Sequence, residues 1–444
     1  MAKSDEMNTI LTRVGPGTPM GNLFRRFWLP ALLGNEVIPD GQPVRLRILG
    51  EDLVAFRDTS GKVGVVEAYC PHRAAPLYFG RNEECGLRCV YHGWKYDVSG
   101  NCLDIPNIIP PDNFEAVKAR LRIIGYPTWE AGGVVWVYMG PKEKKPEALP
   151  PMEWISLPET QVHVSRWLQR SNWAQGFEGE IDSAHLTFIH GVTNYEGTVQ
   201  EVFMHDGAPE IFVRETDGGF IYGARRKYRD GYYWRVTAWV LPMWSVTGAF
   251  HPDKSIHGRG WLPIDDEHTC TFAYKFLKDE GYTAEQIEKT NSGWSFPPRM
   301  TKGTYALTDG TLIDTFLPIA TRENDYLIDR ELQKTTKYSG IYGINDEDRG
   351  IQEGMRRAPG RQGTIDRRFE NLVRSDAAIL AARQKIVRLA QNLENGIEPV
   401  DQGFGKGKPT GALGMVTPIA DFEELLTVYA ELIPHTNAAA APLN

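Results

Sequence analysis

The pattern of apolar and polar positions divides the chain in two. From about Pro43 to Met139 it reads as short β-runs broken by turns. VRLRILGEDLVAFRDTSGKVGVVEAYC mixes alternating and continuous apolar stretches between Gly, Asp-Thr and Ser-Gly breaks. WKYDVSGNCLDI predicts a hairpin turning at Ser99-Gly100-Asn101, and GGVVWVYMG a buried strand. PKEKKPEALPP (Pro141 to Pro151) is charged and proline-rich and reads as a linker. Beyond it the period changes. NWAQGFEGEIDSAHLTFIHG places Trp173, Phe177, Ile181, Ala184 and Phe188 at steps of three and four, which predicts a helix. GFIYGARRKY, YYWRVTAWVL and EHTCTFAYKFL read as strands. SDAAILAARQKIVRLAQNLENG reads as an amphipathic helix with Ser375-Asp376 near its start and Gly396 at its end. No internal repeat is visible. The expectation is an α+β chain: an N-terminal segment (1–25), a small all-β domain (26–145) and a larger domain of antiparallel sheet and flanking helices (146–444).

Length and composition agree with two domains and narrow the chemistry. The chain has 444 residues, 41% apolar and 24% charged, as in ordinary globular proteins. A net charge of −8 favours neither nucleic acid nor a membrane surface as partner. The N-terminus lacks a basic start followed by an apolar run, and no stretch approaches the roughly 20 apolar residues of a membrane span, so a cytoplasmic location is expected. Five cysteines are too few and too unevenly placed for a disulfide scaffold. Cys70, Cys85, Cys89 and Cys102 fall within 33 positions, and that clustering points to metal.

Two hooks stand out, Cys70-Pro71-His72 and Cys89-Val90-Tyr91-His92, with 16 residues between them. Each offers one thiolate and one imidazole. Such a set can hold zinc, or a 2Fe–2S cluster in which histidines replace cysteines on one iron. Zinc hooks usually pair Cys with Cys and His with His, whereas the mixed hooks match the iron–sulfur arrangement. Pro71 stiffens the first loop, Gly93 permits a tight turn, and Trp94 and Tyr96 can shield the site; Cys85 and Cys102 read as structural. A second constellation follows in EGEIDSAHLTFIH. His185 and His190 lie five apart with Asp182 three before the first, near one face of a slightly loosened helix. Two imidazoles and one carboxylate form the open triad of oxygen-activating Fe(II). The acidic run GINDEDRGIQEGM offers Asp346, Glu347 and Asp348 for a further carboxylate.

CPHRAAPLYFG and CVYHGWKYD resemble the Rieske signature of aromatic-ring-hydroxylating oxygenases. GPGTPMGNLFRRFWLP, GEDLVAFRDTSGKVGV and NWAQGFEGEIDSAH extend the likeness to the phthalate 4,5-dioxygenase-like subgroup. The resemblance implies a Rieske 2Fe–2S cluster on Cys70, His72, Cys89 and His92, a helix-grip-like catalytic domain, and one mononuclear Fe(II) on His185, His190 and a carboxylate opening an E-D-x-x-x-x-E helix. That pattern selects Asp348, with Asp346 as the fallback. It implies that Asp182 links His185 to His92 of a neighbouring subunit, hence a homotrimer or stacked hexamer. Glu178 stands where many members place asparagine, and is expected to act beside or on the iron. Respiratory Rieske proteins carry a further cysteine in each loop and a serine after the second His-Gly. Here Ala75 and Trp94 replace the first extra cysteine and that serine, so fewer sulfur hydrogen bonds and a potential near the bottom of the range of about −150 to +300 mV are expected.

The subgroup holds substrate carboxylates with strand arginines, for which YGARRKYRDGYYWRV supplies Arg225, Arg226, Arg229 and Arg235. Alternate strand residues point opposite ways, which leaves Arg235 and one of Arg225 or Arg226 as the candidates. The expected activity is hydroxylation of an aromatic carboxylate such as phthalate or a substituted benzoate, by cis-dihydroxylation. O-demethylation or ether cleavage is the alternative, and a Rieske electron carrier would leave the last 300 residues without purpose. GFGKGKPTG has neither the setting nor the spacing of a dinucleotide fingerprint, and no C-x4-C-x2-C loop is present. Electrons are therefore expected from a separate NAD(P)H-dependent flavin and iron–sulfur reductase.

Overall fold

The structure is a computed structural model that describes residues 2–150, 152–196, 199–247, 255–399 and 413–429. GFGKGKPTG lies outside the described residues. Three small antiparallel sheets build the N-terminal part. One joins Val44–Ile48, Glu51–Arg57, Val63–Glu67 and Gly125–Tyr126; another joins Trp28–Leu33, Val134–Tyr138 and Thr128–Ala131. In the first, Val44, Leu46 and Ile48 are buried and the arginines between them half-buried, so sequence alternation becomes a core face and an outer face. The third sheet runs through Arg81–Glu83, Gly86–Arg88, Lys95–Tyr96 and Cys102–Asp104. Its last hairpin turns at Gly100, where φ is +82°.

The larger part is organised by one antiparallel sheet, eight-stranded among the described residues: β1 (Val162–Gln169), β2 (Glu210–Thr216), β3 (Gly219–Tyr228), β4 (Gly231–Val240), β5 (Trp244–Thr247), β6 (Ile256–Pro263), β7 (Thr269–Phe276) and β8 (Leu413–Thr417). The order is β1-β7-β6-β5-β4-β3-β2, and β8 pairs with β4. Three helices pack around it: α1 (Trp173–Glu180), α2 (Ile344–Gly354) and α3 (Ala377–Glu394). Phe177 of α1 meets Trp239 at 5.1 Å, which puts α1 on the sheet face carrying the odd-numbered residues of β4. Gly179 permits a close approach to α2, since a Cβ there would lie 2.2 Å from Gln352.

The helix expected through Phe188 is shorter than its apolar period suggested. α1 ends at Glu180, and only a 3-10 turn at His185–Thr187 follows. Two side-chain bonds divert the backbone between them. Asp182 Oδ1 accepts the Ala184 N–H at 2.7 Å, and Arg226 donates to both the carbonyl and the hydroxyl of Ser183. Phe188 is consequently exposed rather than part of a core stripe.

The two parts share one continuous apolar core. Trp136 of the N-terminal part lies 5.7 Å from Trp244 of β5, and Trp154 stacks on Tyr274 of β7 at 4.9 Å. The Leu49 and Gly50 N–H groups donate to the Pro263 and Ile264 carbonyls. Arg166 of β1 reaches across and pairs with Glu36 at 2.6 Å, both side chains fully enclosed. Removing one member of such a pair strands the other charge in the interior, so Glu36→Gln is expected to destabilise the chain by about 3–5 kcal/mol. Thermal or denaturant unfolding reads this directly.

Candidate metal centres

The first site forms where two loops of the N-terminal part face each other. In each loop the cysteine N–H donates to the carbonyl five residues on (Ala75, Trp94). In each, its carbonyl accepts from the residue four on (Ala74, Gly93). Ala74 and Gly93 both have positive φ, +55° and +80°, so C-x-H and C-x-x-H adopt the same turn. A Cβ at Gly93 would in addition lie 2.6 Å from Pro106, which fixes glycine there. The loops bring Cys70 and Cys89 together, both buried and free of disulfides, and set His72 and His92 with ring centroids 4.4 Å apart. Trp94 stacks on His72 at 4.3 Å and 7°. The Tyr96 hydroxyl lies 3.4 Å from Cys70 Sγ. Burial pushes the Cys70 thiol up, and the Tyr96 contact opposes it. His72 Nδ1 is buried with no hydrogen-bond partner, an arrangement that suits a ring nitrogen directed at a metal.

The second site lies between α1, α2 and the sheet. His185, His190 and Asp348 place one donor atom each within 4.8 Å of one another. His190 Nε2 and His185 Nε2 lie 3.0 and 3.7 Å from Asp348 Oδ1. The outer nitrogens have carboxylates of their own. His190 Nδ1 donates to Glu347 at 2.7 Å, and His185 Nδ1 lies 3.4 Å from Asp182 Oδ2. These contacts orient the rings and leave both Nε2 atoms facing Asp348. Burial would push the His190 imidazole down, but Asp348 and Glu347 outweigh it and raise it to about 9. Burial works in the opposite sense on Asp348, where His190, Arg259 and His185 hold the carboxyl well below the usual range.

Other expected residues lie as follows. Asp346 is outside the cluster, paired with Arg349 at 2.7 Å. Glu178 is bound by Arg367 and Arg383 at 2.8–3.0 Å, towards α3. Ala224 stands opposite Arg235 in the β3–β4 register, so Arg226 and Arg235 share the face that α1 covers. Arg225 is on the other face, held by Glu210 and ringed by Phe212, Tyr232 and Trp234. Arg229 is largely exposed beside Glu201. Two residues unmarked in the sequence enter the site: Arg259 of β6, which donates to Asp348 Oδ2, and buried Glu180, which forms an ion pair with Arg259. Their signal was a lone charge in an apolar strand, HGRGWLP, and an acid on the apolar stripe of α1.

Known proteins match this layout along most of the chain. Residues 27–118 match the Rieske [2Fe-2S] domain, and residues 137–412 match the family described as LigXa C-terminal domain like. The chain is 38% identical over 411 residues to the 3-chlorobenzoate-3,4-dioxygenase oxygenase subunit of Comamonas testosteroni, covering 89% of this chain and 92% of that one. It belongs to the Rieske non-haem iron oxygenases. The phthalate 4,5-dioxygenase oxygenase subunit of Pseudomonas putida is 35% identical over 415 residues, covering 90% of this chain and 88% of that one. The terminal oxygenase of carbazole 1,9a-dioxygenase from Novosphingobium sp. KA1 shares the fold, with a TM-score of 0.57 at 17% identity over 88% of this chain and 97% of that one.

As a Rieske oxygenase the chain is an oxidoreductase with two iron centres, a Rieske 2Fe–2S cluster and a mononuclear iron. Both sets of side chains fit them: buried thiols with an orphaned ring nitrogen in one, and two imidazoles with a carboxylate in the other. Among the described residues no helix is long and apolar enough to cross a membrane. On a metal-bound, deprotonated Cys70 sulfur the Tyr96 hydroxyl is the donor, a contact that favours the reduced cluster. Tyr96→Phe is therefore expected to lower its potential. A hydrogen bond of about 1 kcal/mol at 59 mV per tenfold corresponds to roughly 40 mV. A redox titration followed in the visible spectrum measures the shift.

Proposed function

We propose that the chain is the oxygenase component that cis-dihydroxylates an aromatic carboxylate, a benzoate with a ring substituent or a second carboxylate. The observation that carries this reading is the placing of Arg226 and Arg235 on the sheet face that also meets the His185–His190–Asp348 cluster. When bound by these three residues, the mononuclear iron supplies O2 binding and reduction. Cys70, His72, Cys89 and His92 would hold the 2Fe–2S cluster that supplies its electrons.

The two arginines have different jobs. Arg226 is fully buried, and its described bonds go to the Asp206 carbonyl and to both oxygens of Ser183. Burial lowers it to about 10, and neighbouring Arg235 adds to the effect. It holds the turn between Asp182 and His185. Arg235 is the substrate ligand, placed with Tyr222 and Tyr233 on the same face and able to grip a carboxylate with two parallel N–H bonds. Arg225, on the far face, and Glu178, spent on Arg367 and Arg383, take no part in substrate binding.

Delivery of electrons runs between subunits of a ring, a trimer or stacked trimers. The Asp182 side chain is about a quarter exposed and stays reachable while bonded to His185. His92 of a second copy would meet it there. Exposed apolar side chains at both places support such an interface: Val90 and Tyr91 beside the cluster, and Phe188 against Tyr338 near the iron ligands. A separate cytoplasmic NAD(P)H-dependent flavin and iron–sulfur reductase provides two electrons per turnover, with two protons, as one O2 adds to the ring.

The test is O2 uptake with a reductase across phthalate, chlorobenzoates, phenoxybenzoates and methoxybenzoates, with 18O2 labelling of products. Dihydroxylation places both labelled atoms in one product, whereas formaldehyde release from a methoxybenzoate would replace this reading with O-demethylation. Arg235→Met is expected to raise KM about 10- to 100-fold, the equivalent of a charged hydrogen bond worth about 1.5–3 kcal/mol, while the cluster spectrum stays unchanged.

A further inference from the structure

We propose that Arg259 is a positioning residue that restricts Asp348 to one metal-binding oxygen and so keeps an additional coordination position open at the iron. The proposal rests on the reading of His185, His190 and Asp348 as the iron ligands.

The geometry divides the two oxygens of Asp348 between two tasks. Oδ1 faces the imidazoles, 3.0 Å from His190 Nε2 and 3.7 Å from His185 Nε2. Oδ2 receives both terminal nitrogens of Arg259, each at 3.3 Å. A carboxylate engaged in this way presents one oxygen to a cation, whereas a free one can close on it with two. Three protein donor atoms would leave one more position open to water and O2 than a two-oxygen Asp348 would.

Arg259 has little freedom to release its grip. Its guanidinium is buried between Trp261 and Phe296, 5.7 and 5.5 Å from the ring centroids. Its Nη2, one of the two nitrogens on Asp348, is also paired with Glu180, which is likewise buried. Glu180 is held in turn, its Oε1 accepting from the Ser245 and Thr247 hydroxyls of β5. The line Ser245/Thr247–Glu180–Arg259–Asp348 thus runs from the sheet through the last residue of α1 to the iron carboxylate. It also balances charge. Arg259 stands between two buried acids, and Lys337 pairs at 3.0 Å with Glu347 behind His190. Each buried acid around the cluster has a fixed cation, which lowers the attraction for a divalent ion that it would otherwise exert.

Structures of the iron-loaded protein, by crystallography or X-ray absorption, and Fe(II) dissociation constants from chelator competition test this without reference to turnover. In the native protein iron is expected to bind Asp348 Oδ1 alone, with Oδ2 still on Arg259. In Arg259→Gln both oxygens are expected on the iron and Fe(II) held at least tenfold more tightly; Arg259→Lys, which keeps the charge, should stay within threefold of native. Two-oxygen ligation in the native protein overturns the proposal, as does one-oxygen ligation in Arg259→Gln, or weaker binding there, which would give Arg259 a scaffolding role only. If Arg259→Gln does not fold, the native structure and Arg259→Lys still decide. Iron bound at residues other than these three would instead remove the ligand reading itself.

Discussion

Burial of the Asp348 carboxylate is the constraint around which the catalytic part is arranged. A lone ionised carboxylate in the interior costs several kcal/mol, so it requires opposite charge and hydrogen bonds. The chain meets this need with a whole helix. On α2, Asp346, Glu347, Asp348, Arg349 and Glu353 are all buried, and each has a named partner: Arg349 for Asp346 and Glu353, Lys337 and His190 for Glu347, Arg259 and the two histidines for Asp348. With its charges inward, this helix is far less stable alone than in place. It exists because the sheet, α1 and the 337–339 turn offer cations and donors where it docks. The result is a rigid acid wall that a divalent metal completes.

The cluster-binding part solves a different problem, holding soft ligands without much core. Two short loops with the same backbone bonds bring the thiols together, and a stacked Trp94 covers one imidazole while His92 remains half-exposed. Exposure of that edge is what a donor needs, since electron transfer falls off with distance and a buried histidine would sit far from any acceptor. The buried Glu36–Arg166 pair and the shared tryptophan core fix this part against the catalytic sheet, so that the two centres keep one relative placement.

Much of this was legible in the residues. The strand-like run GFIYGARRKY appears as β3, residue for residue, with its first six residues all buried, as in a strand covered on both faces. The two cysteine–histidine hooks were visible because ligand chemistry restricts both residue type and spacing. The stretch from Glu180 to His190 was harder. Its apolar steps predicted one helix, but Asp182 and Arg226 bond the backbone and break it, and Arg226 comes from a strand some 40 residues later. Arg259 and Glu180 were hidden for a related reason. A charge becomes informative only when the fold shows what it faces, and here the partners come from β6, α1 and α2. The arginine choice fell between these cases: alternation said that half must point away, and strand register shows which half.

The two iron centres are separable, and Asp348 is expected to serve only the second. Iron and acid-labile sulfide should be counted in the native protein and in Asp348→Asn after reconstitution. Two sulfides and about three irons per native chain are expected, from one 2Fe–2S cluster and one mononuclear site, and about two irons with sulfide and visible spectrum unchanged in the variant. A native chain without labile sulfide would contradict a cluster on the two cysteine–histidine loops, and a variant that keeps its third iron or loses its cluster would contradict a second centre held by Asp348.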